Sequence, residues 1–218
     1  MRNTGQKVEK RYIGEAVDIT YDSRRCIHAE ECIHHLESVF KKNVRPWINA
    51  DGAPMQEIMG VIVQCPSGAL HAEPKNGIPA EETPQRNIVS LWKDGPLQFI
   101  GNLEISGANI NINETRATLC RCGASANKPF CDNSHRDIDF EAVDGEHIAV
   151  EVADDPTGNV MITLESNGPY QVTGNIEILN TVGEVIFVGA EATLCRCGHS
   201  ANKPFCDGTH EVIGFQAD

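Results

Sequence analysis

The chain has 218 residues, 40% of them apolar, with nine cysteines, eight histidines and a formal net charge of −13. That length accommodates two or more compact bodies, and so acidic a balance excludes a nucleic-acid binder, which needs basic surface. Thiols this numerous, behind an N-terminal stretch MRNTGQKVEKRY with no apolar export core, predict a reducing compartment, the cytoplasm; no apolar run is long enough to span a bilayer.

AVDITYD (16–22) reads as a strand by alternation, and RRCIHAEECIHHLESVFKK (24–42) as an amphipathic helix with Ile33, Leu36, Val39 and Phe40 on one face. RPWI (45–48) reads as a second strand, MQEIMGVIVQC (55–65) as a second helix and SGALHAE (67–73) as a third strand. Residues 1–80 are thus expected to form a β-α-β-α-β domain carrying Cys26, Cys32 and a Cys65-Pro66 pair. This Cx5C followed by CP resembles bacterial ferredoxins, and more closely a divergent single-cluster ferredoxin family. In the ordinary ferredoxin run another cysteine stands midway between the first two; here Ala29 stands there. With three thiolates, the resemblance implies a 3Fe-4S cluster, or a 4Fe-4S cluster with His28 as fourth ligand. The alternative is that the three cysteines are small buried apolar residues.

From about residue 81 the sequence is written twice. NIVSLWKDGPLQFIGNLEI, from Asn87, aligns with VMITLESNGPYQVTGNIEI, from Val160, and alternating apolar positions between Gly, Pro and Asn read as short antiparallel strands. ATLCRCGASANKPFCD (117–132) then matches ATLCRCGHSANKPFCD (192–207), differing only at Ala124 and His199, and His135 and His210 follow at equal distance. In an extended segment residues i and i+2 point the same way, so Cys120 aims with Cys122 and Cys195 with Cys197. The GASANKP and GHSANKP stretches should turn the chain back. Cys131 with His135, and Cys206 with His210, are spaced i and i+4, as on one face of a helical turn; Asp132 and Asp207 suit its start. Three sulfurs and one imidazole then converge, twice.

Such a set suits a structural zinc ion or a two-iron cluster. The string CxCxxSxxxPxCDxxH resembles the signature of the CDGSH iron-sulfur family, whose members bind a redox-active 2Fe-2S cluster. The resemblance assigns Cys120, Cys122, Cys131 and His135 to one cluster and Cys195, Cys197, Cys206 and His210 to a second. Asn133 departs from the family's glycine, and asparagine is among the residues that best tolerate left-handed backbone. Because single-motif members form intertwined homodimers, residues 81–143 and 144–218 are expected to pack as a pseudo-twofold intramolecular dimer, and the chain to be an α+β monomer with internal symmetry.

Among the remaining candidates, His34, His35 and His71 read as surface or strand-edge residues. His199 is either a solvated loop residue or a modulator of the site beside it. Lys128 and Lys203 either donate near the site or are solvated, and Trp47 and Trp92 read as core aromatics. Two functions follow: an iron-sulfur protein passing electrons to a redox partner or clusters to an apo-protein, or a structural or regulatory zinc module. Protonation of a histidine ligand frees it from metal, which favours donation. No nucleophile, base and orienter set argues for an enzyme, and neither nucleic acid nor membrane is an expected partner.

Overall fold

The computed structural model describes residues 9–142 and 155–217, and the chain divides into two compact units, Met1–Glu82 and Thr83–Asp218. The boundary expected at 143/144 lies outside the described residues.

In the first unit, β1 (Glu9–Tyr12), β2 (Val17–Asp22) and β3 (Leu70–Pro74) form an antiparallel sheet in the order β1-β2-β3, with α1 (Glu31–His35) and α2 (Met55–Ile62) between β2 and β3. The expected β-α-β-α-β order is corrected to β-β-α-α-β. RPWI is not a strand: Pro46 offers no N–H to a ladder, Asn43 turns at φ 67°, and only a single Phe40–Ile48 bridge forms. The long first helix shrinks to five residues because His28 and Glu30 take left-handed backbone, with φ of 54° and 63°, which a right-handed helix cannot include. Core residues Val17, Ile19, Phe40, Ile58, Ile62, Leu70 and Ala72 close against one another. Trp47 is half-buried on this core, its ring 4.8 Å from that of Tyr21.

The second unit holds β4 (Ile88–Leu91), β5 (Leu97–Gly107), β6 (Ile110–Leu119), β7 (Asn159–Leu164), β8 (Tyr170–Leu179) and β9 (Val185–Leu194), with short helices α3 (Ser134–Asp137) and α4 (Thr209–Val212). Within each copy the strands run antiparallel, β4-β5-β6 and β7-β8-β9. Between copies they run parallel: β5 takes β7 as neighbour and β8 takes β4. Ile105 pairs Ile162, and their aligned counterparts, Ile178 and Val89, pair each other. The exchange is made possible by matched register shifts, at Ile100/Leu103 in β5 and Thr173/Ile176 in β8. One edge of each long strand stays with its own copy, β6 or β9, throughout; the other edge pairs with its own copy ahead of the shift and with the other copy beyond it. Asn87, 1% exposed, locks the junction: its amide nitrogen donates to the carbonyls of Gly158 and Asn175, and its side-chain oxygen accepts from the amide of Asn102. One core, including Leu97, Phe99, Ile105, Leu119, Ile162, Tyr170, Ile178 and Leu194, serves both copies.

Candidate metal centres

Each candidate loop begins where a strand ends. Leu119 closes β6 and Cys120 follows; Leu194 closes β9 and Cys195 follows. The chain returns through the bridges Leu119–Phe130 and Leu194–Phe205. The amides of Cys120 and Cys131 donate to the carbonyls of Pro129 and Thr118, and those of Cys195 and Cys206 to Pro204 and Thr193, at 2.8 to 3.0 Å. The turn between is held by Ser125, whose hydroxyl donates to the Phe130 carbonyl and accepts from the Asn127 amide; Ser200 repeats both bonds with Phe205 and Asn202.

Donor atoms gather in twos. Cys120 and Cys122 sulfurs are 3.7 Å apart, and Cys131 Sγ lies 3.6 Å from His135 Nδ1. In the second loop the corresponding distances are 3.8 Å and 3.3 Å. Metal–sulfur bonds of about 2.3 Å at a tetrahedral angle put two sulfurs about 3.8 Å apart, so each twosome fits the bite of one metal. Among the described residues no group of three or more Cys, His, Asp and Glu side chains is gathered closely enough to hold one ion. Cys131 and Cys206 precede their helices instead of lying in them, correcting the expected i, i+4 face: a left-handed residue intervenes, Asn133 at φ 72° and Gly208 at φ 85°. Asp132 and Asp207 sit before that turn. Each carboxylate accepts from a helix amide, of Ser134 or Thr209, and from a loop amide, of Ala126 or Ala201. The Thr209 hydroxyl and these amides hold Asp207 down to about 2.

Burial makes bare thiolates costly here. It pushes Cys131 up to about 11 and raises Cys206. The hydrogen bond within each Cys-Arg-Cys pair lowers Cys120 and Cys195 while raising Cys122 and Cys197. Burial, then Arg136, holds the His135 imidazole below its ordinary value, in the neutral form a metal binds. Cations relieve the anionic loops: Arg121 and Arg196, 1% and 3% exposed, give guanidinium bonds to the carbonyls of Gly95 and Trp92, and of Glu165. His210 and Cys206 are less buried than His135 and Cys131.

The two loops also touch. A Cβ on Gly123, at φ 77°, would stand 2.3 Å from the Cys197 carbonyl oxygen, and one on Gly198, at φ 84°, 2.4 Å from that of Cys122. Lys128 Nζ lies 5.9 Å from the Phe215 ring and Lys203 Nζ 5.8 Å from the Phe140 ring, each loop reaching the segment after the other's histidine. The same ammonium groups donate to the carbonyls of Ser125 and Ser200. His199 is exposed, and its Nδ1 donates to the Cys197 carbonyl at 2.9 Å. Trp92 is not a core residue as expected: half-buried, its indole donates to Gln98 Oε1 and it lines a cleft of about 310 Å³ with Gly95, His135, Arg136 and Phe140.

Two family models match these segments. Residues 94–136 and 167–211 match the iron-binding zinc finger of CDGSH type, and residues 12–74 a divergent 4Fe-4S mono-cluster domain. The chain is a tandem CDGSH protein with a divergent single-cluster domain in front. Uncharacterized protein YjdI of Escherichia coli strain K12, and that of strain O157:H7, are each 34% identical to it over 59 residues, 27% of this chain and 78% of theirs. As in other CDGSH and 4Fe-4S domains, iron-sulfur clusters are the cofactors.

In the mono-cluster domain, Cys32 lies on α1, Cys65 follows α2 and Cys26 precedes the left-handed turn. Burial, then the nearby Cys65 and Cys26 sulfurs, pushes Cys32 up to about 12. Cys26 Sγ lies 3.9 Å from His28 Nδ1, and Cys65 Sγ 3.6 Å from the Ser67 hydroxyl. Tyr21, raised by burial and by a hydrogen bond with Cys26, was not singled out by the sequence. His34 and His35 instead face Glu30 and Glu31, and His71 faces Glu81. No helix among the described residues is long and apolar enough to cross a membrane.

Proposed function

We propose that each CDGSH loop holds one 2Fe-2S cluster, Cys120, Cys122, Cys131 and His135 binding the first and Cys195, Cys197, Cys206 and His210 the second. The observation that carries this is the division of every loop into a two-sulfur and a sulfur–imidazole bite, which suits two irons and leaves a single zinc underligated. The matched parallel pairings of β5 with β7 and β8 with β4 support a pseudo-twofold intramolecular dimer.

A bound cluster supplies one reversible electron per site. The chain's part is to aim the sulfurs from the strand ends, to exclude water with Leu119, Leu194 and Phe140, and to offset charge with Arg121 and Arg196. The cleft lets a partner approach within reach of His135. We read the protein as a cytoplasmic carrier without catalytic chemistry of its own, passing electrons to a redox protein or a cluster to an apo-protein. In the first unit, Cys26, Cys32 and Cys65 are three ligands for a 3Fe-4S cluster, or for a 4Fe-4S cluster with His28 completing it.

The test is an iron and sulfide count with EPR on anaerobically purified protein. The two CDGSH loops together should give about four irons and four sulfides per chain and a rhombic signal on reduction. Stoichiometric zinc without sulfide would overturn the reading.

A further inference from the structure

Buried hydrogen-bonding side chains differ between the halves at more than one position, Asn87 against Val160 for instance, and one of them, Tyr170, reaches a ligand loop. Tyr170, 0% exposed at the start of β8, donates its hydroxyl to the Cys120 carbonyl at 2.8 Å and to that of Pro129 at 3.2 Å, both in the first loop. Its ring lies 5.6 Å from the guanidinium carbon of Arg196, the residue between the two cysteines of the second loop. The aligned residue of the first half is Leu97, equally buried and with nothing to donate.

We propose that Tyr170 makes the two sites electronically unequal, drawing the first electron to the Cys120 site, and that it is the positioning residue linking that site to the Cys195 site. This rests on the two-cluster reading above.

The physical case is an imbalance of dipoles. The positive end of the phenol O–H points at the backbone of a ligand cysteine, where it stabilises added negative charge, and burial strengthens the effect. Its rival at the second site is the His199 bond to the Cys197 carbonyl, but His199 is exposed, so water and salt screen it. Backbone donors to sulfur cancel between halves: Asn133 to Cys131 at 3.4 Å is matched by Gly208 to Cys206 at 3.5 Å, and the His199 amide at Cys197 by the Ala124 amide at Cys122. Arg121 and Arg196 are buried alike. The charges beside the histidines do not cancel, Arg136 standing where the second copy has Glu211; among buried dipoles, the donor aimed at a ligand cysteine's backbone with no counterpart in the other half is the Tyr170 hydroxyl. Its ring under Arg196 also ties the second loop's cation to the first loop's backbone, so one side chain reports each loop to the other.

The experiment is a redox titration of the full chain, with dithionite as one-electron donor, followed by EPR. The sites are told apart by His210→Cys, which alters the second signal. Wild type should reduce in two steps, the Cys120 site first. Tyr170→Phe keeps the ring and its stacking but loses the hydroxyl. The first step should then lose about tenfold in its ratio of reduced to oxidised sites, about 59 mV for a one-electron couple, with the iron count unchanged and the second step, which feels the phenol only through Arg196, moving less. Incorporating 3-fluorotyrosine, which strengthens the phenol as donor without a change of fold, should move the first step the other way. Two clusters reduced in one step, or steps unmoved by both changes, would overturn this inference alone. Wild type without an iron-sulfur EPR signal would overturn the two-cluster reading as well.

Discussion

Gly123 and Gly198 show how little room separates the two CDGSH loops. Each adopts a backbone that costs a side-chain-bearing residue roughly 1–2 kcal/mol, and each faces a carbonyl of the opposite loop at a distance no Cβ tolerates. Gly123→Ala should therefore lower the iron content of both loops and the thermal midpoint together. Gly158→Ala is the control, since it shares the positive φ, at 85°, but opens onto empty space, and should cost only the backbone share. Iron per chain with a melting curve measures both, and equal effects would show that the contact between loops is unimportant. The ligand spacing was legible because Cys-X-Cys in extended chain and a turn-rich return leave few geometries. Contacts between loops were not, since spacing says nothing of what a carbonyl will face. Tyr170 left one trace, GPY against GPL in the aligned copies, which gains meaning only once the ring is seen spanning both loops.

At the level of elements, β2, α2, β3 and the paired strands of the second unit were readable from alternation and helical period, because each buries one face. The errors fell where local signals compete. RPWI has strand-like residues around a proline that cannot join a ladder, α1 is cut short by two left-handed residues, and β1, with its exposed EKRY, carries no apolar pattern. The ladders that hold β1 and β3 to β2 are reinforced at one end by Asp18, which accepts from Lys75 at 2.9 Å, from Arg11 at 3.1 Å and from the Gly14 amide at 3.3 Å. These bonds, Lys75 foremost, lower the carboxyl pKa. A depressed folded value stabilises the fold above the ordinary carboxylate range and loses that contribution as pH falls through the lowered value. The urea midpoint of the first unit, followed by the Ile19 methyl resonance, should fall between pH 6 and pH 3. In Asp18→Asn it should start lower and lose less. An equal acid-induced drop in variant and parent would assign the effect elsewhere.

On the scale of the whole second unit, the copies are not beads on a string. β8 lends its far half to β4, and β5 lends its own to β7, so neither copy can cover its apolar strands alone. A fragment of residues 155–218 should fold only by pairing with itself, a second β7 taking the place of β4. Sedimentation should find a dimer wherever circular dichroism finds strand, and a folded monomer would refute the argument. The interlock also sets an order of events during synthesis. Val89 meets Ile178 only after about 90 further residues have been made, which at the usual pace of translation takes on the order of ten seconds. Cys120, Cys122 and Cys131 are likewise made 66 or more residues before Cys197 and Gly198, and until then they lack the wall that those residues later provide. Iron delivered too early meets an open loop, and oxidant meets three unguarded thiols. The newborn chain is thus at its most vulnerable before its second copy exists, and an aerobic cell should gain more intact protein by speeding translation of the last hundred residues than by raising iron supply.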